Sequence, residues 1–176
     1  MASPLVWIDL EMTGLDPETC SILEIAVVLT DDQLEILPGH YEAAIHHPRE
    51  SIRMGPAVAE MHARSGLIER VVASKTSLAQ AEEGALAFLS ARCAPAESPL
   101  CGNSVHVDRR FIRRYMPRLD GFLHYRHIDV TTVKELARRW YPAIPAFPKT
   151  EQHTALSDIR ESIGELRHYR QAIFKS

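Results

Sequence analysis

Cysteine is scarce in this chain of 176 residues: Cys20, Cys93 and Cys101 are odd in number and show no CxxC spacing. Neither a disulfide framework nor a cysteine-built zinc site is expected, and the reduced cytoplasm is the expected compartment. Long apolar runs are missing as well. Leu5-Val6-Trp7-Ile8 is stopped by Asp9 with no basic segment ahead of it, far short of the ~20 residues that cross a bilayer, so membrane spanning and secretion are disfavoured. Histidines are present, but none are paired as HxxxH with a third ligand, which argues against a histidine zinc site. Basic charge is lacking where the chain is longest: residues 1–103 hold 6 Lys+Arg against 15 Asp+Glu, whereas residues 104–148 hold 9 against 4. An acidic stretch of that length argues against tracking along a long polyanion, which needs many cationic contacts to phosphate. A short anionic ligand held by a few cations stays open.

What is present is an ordinary globular composition, 45% hydrophobic and 24% charged, enough for one domain over residues 1–176. The first part breaks into short β-rich pieces, Leu5–Leu10, Ile22–Thr30 and Leu34–Ile45. The turns Gly14-Leu15-Asp16-Pro17 and Asp31-Asp32 separate them closely enough for an antiparallel meander. The period then changes. Ala81, Ala85, Leu86 and Leu89 recur at helical spacing within Ser77–Arg92. Leu100–Asn103 reads as a buried strand feeding a helix at Val105–Met116, and Arg126–Val130 as another feeding Thr132–Trp140, two units that add parallel strands. Pro142, Pro145 and Pro148 force an irregular loop before a last helix near Thr154–Ile173. The predicted architecture is α/β: a mixed five-stranded sheet, three meander strands plus parallel strands, flanked by helices.

Several carboxylates sit where carboxylates are costly. Asp9 and Glu11 alternate along the first strand and point to one face. Two carboxylates there repel unless a cation neutralises them, and hard oxygen ligands suit Mg²⁺ or Mn²⁺; a solvated strand end is the alternative. Asp108 falls on the same helical stripe as Phe111, Ile112 and Tyr115, where an unpaired carboxylate would take up a proton or cost several kcal/mol. It requires a partner, or else serves the free N–H groups and dipole of the helix start. Arg109, Arg110, Arg113 and Arg114 occupy the other half of that helix and read as a solvated face. Asp158 lies at the edge of the last helix's apolar stripe, and His153 five residues earlier belongs to the preceding loop. A single arrangement would use all five: two divalent cations bridged by carboxylates, roughly 3.5–4 Å apart, with a neutral imidazole taking the proton of the attacking water.

The segments Trp7-Ile8-Asp9-Leu10-Glu11-Met12-Thr13-Gly14-Leu15-Asp16-Pro17, Cys101-Gly102-Asn103-Ser104 on to Asp108-Arg109-Arg110-Phe111, His124-Tyr125-Arg126, Lys134 to Trp140, and His153 through Asp158 to Ser162 make a specific, ordered set. In this set the chain resembles the oligoribonuclease family, a branch of the DEDDh 3′-to-5′ exonucleases with a ribonuclease H-like fold. The resemblance implies a homodimeric exoribonuclease with two Mg²⁺ or Mn²⁺ ions per active site, cutting very short oligoribonucleotides, dinucleotides above all, into 5′-monophosphates. By position it assigns Asp9, Glu11, Asp108 and Asp158 to the metals and His153 to the general base. Leu15 matches the wedge between the two bases. Ser104, Arg126 and Thr131 match the cap on the substrate's 5′ phosphate, and Tyr125 matches an aromatic supplied by the partner subunit. His62 matches a histidine common near the pocket, meeting substrate or bonded to backbone in the core. Some members carry a base-stacking tryptophan where this chain reads Arg53-Met54-Gly55-Pro56-Ala57-Val58; Ala57 or Val58 offers only an apolar wall.

Three other readings compete. Asp9-Leu10-Glu11-Met12-Thr13 approaches the DxDxT nucleophile loop of haloacid-dehalogenase-like phosphatases, with Glu11 in place of the second aspartate. A dinucleotide sensor would bind without cleaving, and would have no use for a base at His153. A DNA-proofreading exonuclease would share the five catalytic positions but not the His124-Tyr125-Arg126 cap.

Overall fold

The computed structural model describes residues 3–148 and 154–174. The first strand, β1 (Leu5–Met12), pairs antiparallel with β2 (Ile22–Thr30), which pairs antiparallel with β3 (Tyr41–Ala44). Three short helices cover the next stretch, α1 (Pro56–Arg64), α2 (Leu67–Ala73) and the longer α3 (Leu78–Ser90). Then β4 (Leu100–Gly102) joins the other edge of β1 in parallel, α4 (Val105–Tyr115) and α5 (Pro117–Phe122) follow, and β5 (His127–Asp129) pairs in parallel with β4. Two helices complete the chain, α6 (Val130–Trp140) and α7 (Ala155–Ile173). The sheet order is β3-β2-β1-β4-β5, the mixed five-stranded sheet that the strand spacing predicts.

The sheet separates two cores. Val6, Ile8 and Leu10 of β1 pack with Ala81, Ala85 and Leu89 of α3 and Phe111 and Ile112 of α4. Trp7 packs on the opposite face with Ile159 and Ile163 of α7. The strand's period of two therefore assigns its odd-numbered residues to the α7 side. A register shift between Glu11 and Met12 against β2 ends this regular pairing at the mouth of the sheet, where bulges commonly re-aim side chains.

Three expectations need correction. The third strand is shorter than 34–45: Ile36 forms only an isolated bridge to Thr30, and regular pairing begins at Tyr41. Pro38 removes a ladder donor and Gly39 takes φ +87°, so the chain leaves the sheet between them. Helices α2 and α5 are short elements that the sequence pattern leaves unmarked, although Pro117 opens α5 at its first position, a known start signal. Arg109 is not part of a solvated face. It is 8% exposed, while Arg110, Arg113 and Arg114 are exposed as expected, because α5 folds back over that side of α4.

Candidate active site

Asp9 and Glu11 point toward α7 from the end of β1, as the alternation requires, and Asp158 meets them from the first turn of α7. One ligand atom from each of these three carboxylates lies within 4.8 Å of the others. The helix start that delivers Asp158 is well specified: Thr154 and Ser157 form a reciprocal capping box, which closes free N–H groups at the turn. Asp108 stands outside that tight group. It is 6% exposed, and its Oδ1 accepts the backbone N–H of Leu10 at 3.1 Å, so α4 is tied directly to β1 between Asp9 and Glu11.

Packing four acids around one strand end shifts their protonation. Burial above all, then the charges of Asp108, Asp158, Glu11 and Glu24, hold Asp9 well above the usual carboxylate range. Burial followed by Asp158 pushes Glu11 up to about 8, with Arg70 pulling the other way. Burial likewise raises Asp108 to about 7, against the opposing Leu10 hydrogen bond. Such a set of hard oxygen donors, short of positive charge, fits divalent cations.

The surroundings differ from residue to residue. His62 is fully buried in α1; its Nε2 donates to the Met12 carbonyl at 2.9 Å and its Nδ1 lies 3.8 Å from Glu11 Oε2. The ring is thus bonded to backbone, next to a carboxylate of the site. Leu15 is 70% exposed on the loop after β1. That loop is held from within by Asp16, which accepts from Glu18 N, and from α4 by Tyr115 Oη, which donates to the Pro17 and Cys20 carbonyls at 2.9 and 2.8 Å. Ser104 adopts a left-handed backbone at φ +53°. Its N–H donates to Asp129 Oδ1 and Thr131 Oγ1, both at 2.9 Å, and its hydroxyl lies 3.2 Å from that of Thr131, so the Ser104 and Thr131 side chains meet. Tyr125 is 73% exposed, not packed in its own core, and the Arg126 guanidinium lies 5.3 Å from the centre of its ring. Ala57 is exposed and Val58 half-buried at the start of α1. His153 lies outside the described residues.

Sequence reasoning missed Glu24 and Arg70. Glu24 is buried opposite Glu11 in the β1–β2 register, accepts the Ala155 N–H at the start of α7, and pairs with Arg70 of α2 at 2.5 Å. A lone acid inside the otherwise apolar run Ile22-Leu23-Glu24-Ile25-Ala26-Val27 was the available signal. Also missed was the network behind the Ser104–Thr131 pair, in which Asn103 Nδ2 donates to Ser162 and Glu165 and Asn103 Oδ1 accepts from Thr131.

Known proteins resemble this chain along most of its length. The RNase_T exonuclease family pattern matches residues 6–166. An oligoribonuclease of Xanthomonas axonopodis pv. citri is 53% identical over 169 residues, covering 95% of this chain and 87% of that protein. One from Marinobacter nauticus is 51% identical over 173 residues, 97% of this chain and 96% of that protein. Among solved structures, a zinc-bound complex of Escherichia coli exonuclease I with single-stranded DNA superposes with a TM-score of 0.76 at 14% identity over 98% of this chain. The chain spans 41% of that nuclease's length, and at this identity the likeness speaks for the ribonuclease H-like fold. Matched along nearly its whole length by relatives at half identity, the chain belongs to the RNase_T exonucleases and, within them, to the oligoribonuclease family of 3′-to-5′ exoribonucleases.

Proposed function

We propose that this chain, as a single exonuclease domain, hydrolyses very short oligoribonucleotides, dinucleotides above all, from the 3′ end to nucleoside 5′-monophosphates. The observation that carries the reading is the convergence of Asp9, Glu11 and Asp158, with Asp108 tied to the same strand. These four would hold two divalent cations, Mg²⁺ or Mn²⁺, which when bound supply the positive charge that stabilises attacking and leaving oxygens. The chain's own residues do the rest. His153 acts as the base that takes the proton of the attacking water, its neutral imidazole suited to that task near neutral pH. Leu15, exposed on an anchored loop, separates the bases. Ser104, Thr131 and Arg126 bind the substrate's 5′ phosphate, closing the groove where a longer strand would have to leave. His62, buried against Met12 and Glu11, supports the floor of the pocket. Tyr125 serves the partner's site in a homodimer, consistent with its exposure. Three unpaired cysteines suit a cytoplasmic setting, and no helix among the described residues is long and apolar enough to cross a membrane.

A covalent aspartyl-phosphate route at Asp9 is not favoured: β1 is flanked by antiparallel β2 as well as parallel β4, and the family match is to exonucleases. The test is a ladder of 5′-labelled oligoribonucleotides, upward from the dinucleotide, incubated with Mg²⁺, with Mn²⁺ and with chelator. Fastest loss of the dinucleotide, shortening from the 3′ end and silence in chelator are expected. Cleavage that survives chelation, or preference for the longest RNA, would overturn the reading.

A further inference from the structure

We infer that Arg109 is a positioning residue for substrate recognition, holding the His124–Arg126 segment at a set place relative to the carboxylate centre. It follows Asp108 on α4, and its buried guanidinium uses three nitrogens on two places in the chain. Nη1 donates to the His124 carbonyl at 3.1 Å and Nη2 to the Asp120 carbonyl at 3.0 Å. Nε lies 2.5 Å from Asp120 Oδ1, a charge contact without hydrogen-bond alignment.

The segment it ties down has an unusual division between backbone and side chains. His124 is gripped on both sides, its N–H donating to the Ser98 carbonyl at 2.9 Å and its carbonyl accepting from Arg109. Its ring turns back, with Nδ1 accepting the Arg126 N–H at 3.1 Å and the ring centre 4.4 Å from that of Tyr125. The Tyr125 and Arg126 side chains are left exposed. An anchored backbone that presents exposed side chains suits recognition of a ligand better than it suits core packing.

Burying a guanidinium costs several kcal/mol unless its donors are met, so simple closure of α5 on α4 would be served as well by an apolar side chain. What an apolar residue cannot do is fix the His124 carbonyl in direction and distance. Lysine cannot do it either, because one ammonium reaches Asp120 or His124 but does not span the planar set of acceptors. The inference rests on the reading that Tyr125 and Arg126 meet substrate.

The test compares two substrates of the purified protein with Mn²⁺: a 5′-phosphorylated diribonucleotide, which needs the recognition segment, and the p-nitrophenyl ester of thymidine 5′-monophosphate, which needs mainly the carboxylate centre. Arg109→Lys is expected to lower kcat/KM on the dinucleotide about tenfold or more, chiefly through KM, while ester hydrolysis stays within about twofold. Asp120→Asn, which loosens the guanidinium without removing it, is expected to show the same split to a smaller degree. Combining Arg109→Lys with Arg126→Ala should add little to Arg126→Ala alone, since the first acts through the second. Equal losses on both substrates in both variants, or an Arg109→Lys protein with wild-type dinucleotide kinetics, would overturn the inference. If Arg126→Ala and Tyr125→Ala themselves leave dinucleotide cleavage unchanged, the reading of the segment falls, and the inference with it. If those two variants lose activity and Arg109→Lys does not, the inference alone falls.

Discussion

Asp9, Glu11 and Asp108 all carry carboxyls raised by burial and by one another, and the direction of that shift sets a pH dependence. An acid whose folded pKa lies above its unfolded value contributes most to stability while protonated, and the contribution is lost as pH climbs through the folded value. For Glu11 the window runs from the ordinary 4.5 to about 8, and for Asp108 from the ordinary 3.8 to about 7. The thermal midpoint of chelator-treated protein should therefore fall as pH rises across that window, and Mn²⁺ should flatten the slope. A chelated midpoint that rises through the window would refute the shifts. Asp108→Asn retains an oxygen for the Leu10 N–H but lacks the charge. It should lower turnover by about two orders of magnitude or more, yet in chelator at alkaline pH its midpoint should match or exceed that of the parent. Near-normal turnover at saturating Mn²⁺ would remove Asp108 from the metal-binding set.

Among the elements, the loop between β1 and β2 turns on close packing more than on secondary structure. Gly14 precedes Leu15, and a Cβ placed on it would lie 2.7 Å from Cys20 Sγ, closer than atoms pack. Gly14→Ala should cost about 1–3 kcal/mol through this overlap and should shift Leu15, raising KM for dinucleotides. Adding Cys20→Ala removes the obstructing sulfur, so the double variant should recover most of the lost stability in urea denaturation. A double variant no more stable than Gly14→Ala would place the strain elsewhere. The start of α7 shows the same dependence on neighbours: its capping box is local, but the Glu24–Ala155 contact that docks it on β2 crosses 131 positions of sequence.

For the whole molecule, the exposed Tyr125 leads to a complementation test. In the proposed dimer, Asp108→Asn chains have disabled carboxylate centres and intact tyrosines, whereas Tyr125→Ala chains have the reverse. A hybrid of the two contains one complete site if Tyr125 acts across the interface. Co-refolded mixtures should then cleave dinucleotides faster than the mean of the two variants assayed apart. Hybrid dimers demonstrated by mass spectrometry without that gain would confine Tyr125 to its own subunit or remove it from catalysis.

Local chemistry by itself determined much of this protein. Alternation placed Asp9 and Glu11 on one face, helical period put Asp108 on a core-facing stripe, and proline, glycine and aspartate bounded β2 at the residues observed. The ordered motifs also carried the family. Tertiary structure decided what one segment cannot know of another. Arg109 became buried because Asp120 and the His124 carbonyl, on the next helix and the loop after it, converge on its guanidinium. His62 settled against Met12 because α1 folds over the mouth of the sheet, and Glu24 found Arg70 and Ala155 because β2 lies between α2 and α7. Each is a polar group whose burial is tolerable only with a partner on another element, and periodicity carries no information about such partners.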